Sequence, residues 1–327
     1  MISVLISTYN KSKFLDITLA GYQKQSYKNF ELVIVDDGST DNTKEIVKKY
    51  EKVLNINYLY IEKSGISKAR GKTLDNATGN YYIIADDDRI PCKDFIREHK
   101  LKLDSGEKCV YIGKQCLILS CFNSDIKFKF KDEFKLYNKF PELLLGEEKQ
   151  LFFASDVIEN FDDVLHDFYL SDYTESYLLH MVERYGEDLN GFPLAWSRAY
   201  GGNMSFDKRK CSNELVYDSN YKGYGIEDVD FSYQLYLQGF KFRFHNLAIN
   251  YHQEHKRSKD ENRQIFKNFE YFCNKHQNLD VKLMKMDWDG IISLEAANDF
   301  YEILTRHGNF LEDDIEKLLR RQSIKNI

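Results

Sequence analysis

The chain has no excess of positive charge. Lys and Arg number 46 against 52 Asp and Glu, a formal net charge of −6, with both signs mixed along its length. That argues against a nucleic-acid binder that works by neutralising many phosphates, so any phosphate binding should be local. No uncharged apolar run reaches the length of a membrane span. The nearest, Cys109 to Phe122, is short, is broken by Lys114 and Gln115, and reads as buried strands. The opening residues, Met1-Ile2-Ser3-Val4-Leu5-Ile6-Ser7-Thr8, lack the basic region and long apolar stretch of a signal peptide. The six cysteines (Cys92, Cys109, Cys116, Cys121, Cys211, Cys273) form no C-x-x-C pair and no zinc spacing, which reads as reduced thiols in a cytoplasmic protein. Internal repeats and low-complexity tracts are missing. What is present is 327 residues with 43% hydrophobic content, ample for one elaborated domain or one domain plus an appendage.

The first ninety residues alternate strand and helix patterns. Ser3–Ser7, Glu31–Val35, Ile56–Ile61 and Tyr81–Ala85 read as strands. Lys13–Gln25, a segment capped by Ser39 or Thr40 and running through Ile46, Val47 and Tyr50, and Ser67–Ala77 stopped by Gly79 read as helices. This alternation predicts an α/β fold with a doubly wound, mostly parallel sheet, whose ligands sit beyond the carboxyl ends of the strands. Further on, Ser176–Tyr185 and Glu227–Gln238 (C-capped by Gly239) fit helices, Arg198–Phe206 a loop entering a strand, and Lys241–Tyr251 an extended segment. The charged stretch His255–Arg263 reads as mobile. Beyond it Glu261–Lys275, Leu294–Arg306 and Glu312–Arg321 read as helices, the last two a hairpin separated by Gly308.

The chemistry-bearing residues fall at strand ends. Asp36-Asp37-Gly38-Ser39 follows one strand and Asp86-Asp87-Asp88 another. In an extended chain side chains alternate, so Asp86 and Asp88 would share a side and Asp87 would point away into the fold. Such a pair can hold a hard divalent cation, Mg²⁺ or Mn²⁺, and an imidazole ligand from His252 tilts the choice toward Mn²⁺. Gly65 allows close backbone approach to a ligand, and Arg70 at a helix start can reach a base or diphosphate. Glu227-Asp228 opens a helix, where the dipole favours carboxylates, and Asp228 can serve as general base. Trp196 is equally a sugar platform or a core residue.

Together these motifs resemble family 2 glycosyltransferases of the GT-A fold: Val4-Leu5-Ile6-Ser7-Thr8-Tyr9-Asn10, Ile34-Val35-Asp36-Asp37-Gly38-Ser39-Thr40-Asp41 and Asp86-Asp87-Asp88. Gly201-Gly202-Asn203-Met204-Ser205-Phe206, Gly225-Ile226-Glu227-Asp228-Val229-Asp230-Phe231 and Tyr251-His252-Gln253-Glu254 look like the transferase domains of bacterial chondroitin polymerase. The resemblance implies that Asp37 and Arg70 contact uracil, that Asp86 contacts ribose, and that Asp88 and His252 bind the metal. Thr8, Tyr9 and Asp87 would belong to the donor site, and Gly202 and Asn203 would border the donor sugar. Asp228 would be the catalytic base of an inverting transfer, with Glu227 and Trp196 on the acceptor. Three positions depart from the family pattern. Gly225-Ile226 replaces Gly-Gly, Tyr224 replaces Trp, and Gly71 replaces Asn.

The resemblance thus implies a cytoplasmic, metal-dependent enzyme acting from a UDP-sugar donor on a glycan or glycoprotein acceptor, without nucleic acid. It would have no transmembrane segment, and peripheral association with the inner face of the membrane is compatible with that. Residues 1–262 would form the transferase domain, and residues 263–327 a helical extension that can serve a homo-oligomer. A nucleotidyltransferase is the rival enzyme, disfavoured because no glycine-rich triphosphate loop is evident. An inactive sugar-binding or scaffolding subunit is the rival of another class, disfavoured because every acidic position is filled.

Overall fold

The computed structural model describes residues 1–128, 130–146, 148–172, 176–256 and 260–307. The helix expected at Glu312–Arg321, with Gly308 before it, lies outside the described residues. In chain order the elements are β1 (Ile2–Thr8), α1 (Ser12–Gln23), β2 (Phe30–Asp36), α2 (Thr43–Tyr50), β3 (Ile56–Tyr60), α3 (Ile66–Asn76), β4 (Tyr81–Ala85), β5 (Arg89–Pro91), α4 (Phe95–Leu103) and β6 (Cys109–Ile118). An excursion follows, made of β7 (Cys121–Asn123), α5 (Phe130–Lys139), β8 (Glu148–Gln150), α6 (Ala154–Glu159), α7 (Phe161–Phe168), β9 (Tyr169–Asp172) and α8 (Ser176–Tyr185). The chain then returns through β10 (Asn203–Asp207), α9 (Glu227–Leu237) and β11 (Lys241–Gln253), and continues as α10 (Glu261–Lys275), α11 (Leu279–Trp288) and α12 (Leu294–His307).

The main sheet has the order β3-β2-β1-β4-β10-β6-β11-β5, with β9 on β6. β3, β2, β1 and β4 are parallel, as their apolar content and intervening helices require. β10 runs antiparallel to both neighbours, with Asn203 opposite Ala85. Its first residue, rather than its last, therefore lies beside the end of β4. The Gly201-Gly202 turn and the acidic turn after Ala85 thus share one edge of the sheet.

Two apolar layers flank the sheet. One contains Val4, Ile6, Leu15, Leu19, Ile34 and Phe95. The other joins Leu5, Ile84, Met204 and Phe206 to Trp196, Phe231 and Tyr233, and also to Phe269, Phe272, Leu283, Met284 and Leu294. Side chains from both sides of residue 262 therefore interleave in one core.

Several local expectations change. Neither Ser39 nor Thr40 caps α2; Asp41 Oδ1 accepts from the Thr43 amide at 3.1 Å and from its hydroxyl at 2.6 Å. Gly79 does not stop α3, which ends at Asn76. It is glycine because a Cβ there would lie 2.6 Å from Ser3 Oγ and 2.8 Å from the Met1 carbonyl. Of the stretch expected to be mobile, 261–263 lie in α10, and residues 257–259 lie outside the described residues.

Candidate active site

The parallel half of the sheet delivers Asp37 and the acidic triplet to one edge, and α9 brings Glu227 and Asp228 to it. Arg70, from the first turns of α3, joins them. Its Nη2 lies 3.0 Å from Asp86 Oδ1, Nη1 contacts Asp228 Oδ1, and Nε lies 3.8 Å from Glu227 Oε1. Burial opposes the Arg70 charge, but Asp86 and Glu227 outweigh it and hold the guanidinium firmly protonated. Asp86 is also paired with Arg89, Nε to Oδ2 at 2.9 Å. Glu227 is buried, its Oε2 has no hydrogen-bond partner, and burial raises its pKa against the pull of Arg70. The Asp228 side chain keeps 16% exposure.

A second cluster sits around Asp88. Its carboxylate lies 3.0 Å from Lys11 Nζ, 2.9 Å from His255 Nε2 and 3.6 Å from His252 Nε2. One donor atom from each of Asp88, His252 and His255 falls within 4.8 Å of the others, and this is the only such metal-type group among the described residues. Burial works against the Asp88 charge, but Lys11 and His252, then His255, hold the carboxyl well below its ordinary range. Burial lowers the His252 pKa; at His255 burial also opposes the charge, but the hydrogen bond and charge of Asp88 together with the Lys256 carbonyl raise the pKa. A carboxylate with two imidazoles is a donor set suited to a first-row divalent cation. The pocket already accommodates one positive charge, the Lys11 ammonium, which also contacts His255.

The strand ends at Ala85, so the alternation expected for Asp86 and Asp88 does not apply; residues 87 and 88 form a turn. Asp86 goes to the two arginines and Asp88 to the imidazoles. Asp87 is buried beside Thr8, and burial with the neighbouring Asp88 charge raises its pKa. Asp37 closes a loop. It accepts from the Ser64 amide at 2.7 Å and the Gly65 amide at 3.0 Å, and pairs with Lys63 at 3.0 Å. Burial opposes its ionisation, but those hydrogen bonds prevail and lower its pKa. Tyr9 is 43% exposed, with Lys63 Nζ 2.9 Å above its ring.

Three expectations are corrected. Trp196 has 0% exposure and packs on Tyr233, Tyr236 and Phe272, so it is a core residue with no face for a sugar. Asn203 is fully buried. Its amide donates to the carbonyls of Lys114 and Ala248, and its Oδ1 meets His99 Nε2 at 2.9 Å, so its side chain ties strands together rather than bordering a ligand. Glu227 faces Arg70 from a buried position, which removes it from direct contact with an acceptor. Gly202 does lie at the site: its amide carbonyl accepts from Asn250, and a Cβ on it would overlap the Arg89 guanidinium.

Sequence reasoning missed Lys11, Arg89 and the place of His255 beside Asp88. His255 had a signal, its three-residue spacing from His252 at a strand end. Arg89 directly follows the triplet. Lys11 had no signal in spacing; only the turn after β1 brings it to Asp88. Ile226, where the family pattern has glycine, takes φ = 74° at the start of α9, a rare conformation for a branched residue.

Residues 3–153 match the family model described as glycosyl transferase family 2. The sequence is 29% identical to YfnE, an uncharacterized glycosyltransferase of Bacillus subtilis (strain 168), over 98% of this chain and 79% of that protein. It is also 29% identical to the chondroitin synthase of Escherichia coli over 77% of this chain, and spans 34% of that protein's length. Among solved structures, S. aureus TarS in complex with UDP-GlcNAc aligns with a TM-score of 0.50 at 19% identity, covering 79% of this chain and 59% of that one, a likeness of fold. The matched residues carry β1, β2 and β4 with both acidic turns, so residues 3–153 form a family 2 glycosyltransferase region, in a chain with a GT-A fold and a sequence resembling the transferase domains of bacterial chondroitin synthases.

Proposed function

We propose that this glycosyltransferase moves a hexose or N-acetylhexosamine from a UDP-sugar to a hydroxyl of a growing glycan, free or protein-linked, with inversion at the anomeric carbon. The reading rests on one contact: Arg70 pairs with both Asp86 and Asp228, so acid groups far apart in sequence share a site. The E. coli relative is a chondroitin synthase and TarS binds UDP-GlcNAc, which supports a UDP-sugar donor.

Asp228 takes the proton from the acceptor hydroxyl as that oxygen attacks the anomeric carbon; the bond to the diphosphate breaks and UDP leaves with its electron pair. Arg70 orients Asp228, and Glu227 supports Arg70 from below. Asp88, His252 and His255 would hold Mn²⁺, or Mg²⁺ less readily. A cation there supplies positive charge against the departing diphosphate. With Trp196 in the core, Tyr224, 43% exposed and four residues before Asp228, is the ring on offer to a sugar face. No described helix is long and apolar enough to cross a membrane. The assignment of the enzyme to the cytoplasm, with the membrane's inner face as a second location, belongs to the proposal.

Release of UDP from UDP-glucose, UDP-galactose, UDP-GlcNAc and UDP-GalNAc, with Mn²⁺ and with EDTA, tests the assignment. Turnover of one donor that disappears in EDTA supports it. Release of pyrophosphate from a nucleoside triphosphate instead would replace it with the nucleotidyltransferase reading.

A further inference from the structure

We infer that α10 is the template that shapes the catalytic turn, with Asn268 as its central positioning residue. The turn before Glu227 is conformationally demanding. Gly223 has φ = 72°, Gly225 φ = 90° and Ile226 φ = 74°, all in the left-handed region. Such a run does not hold itself, because no regular ladder fixes it.

The missing partners come from α10. The buried Asn268 amide donates to the carbonyls of Lys222 at 3.0 Å, Gly225 at 2.9 Å and Tyr224 at 3.3 Å, while its Oδ1 accepts from the Lys222 amide at 3.2 Å. Gln264 Oε1, one turn earlier, accepts from the Tyr224 amide at 2.8 Å. Ile265 fills the space beside Gly225, where a Cβ would lie 2.8 Å from its Cγ1.

The far end of α10 grips the other side of the same turn. Asp230, two residues after Asp228 and fully buried, lies 2.6 Å from His276 Nε2 and 3.1 Å from Lys275 Nζ. Residues 227 and 228 are therefore held from both flanks by one helix that crosses the expected boundary at residue 262. Neither Asn268 nor Gln264 pairs with Asp37, Asp86 or Asp88, so the clamp sets where Asp228 points and leaves the nucleotide side of the site alone.

This inference rests on the reading of Asp228 as the base, and its test separates the two. In Asn268→Leu, hydrogen exchange of residues 222–230 should accelerate at least about tenfold while exchange of β1 and β4 stays unchanged. UDP affinity with Mn²⁺ should hold within about twofold, and kcat for UDP release from the best of the four donors should fall about 30-fold or more. Adding Asn268→Leu to Asp228→Asn should cost nothing further, because both changes remove the same contribution. Gln264→Met, which deletes one acceptor, should give the same pattern at smaller amplitude, and it keeps the test open if Asn268→Leu does not fold. Unchanged exchange in both variants, or a loss of UDP binding parallel to kcat, overturns the clamp. An active Asp228→Asn variant overturns the base assignment alone.

Discussion

Arg70 stands between Asp86 and Asp228 and is paired with both, its Nη2 3.0 Å from Asp86 Oδ1 and its Nη1 against Asp228 Oδ1. Its side chain is only 9% exposed. Removing one member of a buried ion pair leaves uncompensated charge, at a cost of about 3–5 kcal/mol. Arg70→Met should lose that much in urea unfolding at neutral pH, and Asp86→Asn in the same chain should restore part of it. A loss under about 1 kcal/mol would place the guanidinium in an environment of surface character.

Asp228→Asn should lower kcat by about 10²–10⁴-fold, the usual range for general base catalysis, with UDP binding intact. Calorimetry with UDP and Mn²⁺ alongside a UDP-release assay measures both quantities. Wild-type turnover would remove Asp228 as base.

Gly201 allows the close packing of the central pair. A Cβ there would overlap Arg70 Nη1 and Asp228 Oδ1. Gly201→Ala should displace the carboxylate and reduce kcat by about 10–100-fold, because small misplacements at a reacting centre are expensive. Core stability should change little, since the atoms that give way are side-chain ends. Wild-type kcat would mean that the pair has room to shift.

With Asp88, His252 and His255 proposed as one donor set, His255→Ala should weaken Mn²⁺ activation. Loss of a metal ligand should cost at least what loss of an outer-sphere partner does, about 10–100-fold in metal affinity. A Mn²⁺ titration of the EDTA-stripped protein measures it. An unchanged midpoint would return His255 to a purely structural pairing with Asp88.

His99 provides a pH signature. Burial depresses its pKa to about 3, against a hydrogen bond donated to Asn203 Oδ1 that raises it only partly. The unfolded chain binds this proton below about pH 6.5 and the folded one does not, so this contribution is complete above 6.5 and declines as pH falls toward 3. Between pH 7.5 and 5 it should amount to about 2 kcal/mol. His99→Gln should flatten that limb in urea midpoints taken at the two pH values, and an unaltered slope would assign the acid sensitivity to other groups.

Much of this architecture was legible in the sequence because hydrophobic period reports local structure well. β1, β2, β3 and β4, the helix at Ser176–Tyr185 and the start of α9 fall close to their expected positions. The acidic turns were legible because few structural roles call for adjacent carboxylates at a strand end. The identity of their partners was not. Asp37 meets backbone amides twenty-seven and twenty-eight residues away, and Lys11 meets His255 across 244 residues; no local pattern encodes such distances. Trp196 failed as a sugar platform for a related reason, since the rings packed on it, Tyr233, Tyr236 and Phe272, all lie far along the chain. The alternation argument for Asp86 and Asp88 failed at Ala85, because a period of two holds only while the chain stays extended.

The shared apolar layer has a practical consequence. Trp196, Phe206, Phe231 and Tyr233 are sealed in company with Phe269, Phe272, Met284 and Leu294. A protein trimmed after residue 262 would present those rings to water as a sticky surface well beyond what soluble monomers tolerate. Anyone seeking a minimal transferase should expect inclusion bodies from that cut, and should look for removable segments in the excursion between β6 and β10 instead.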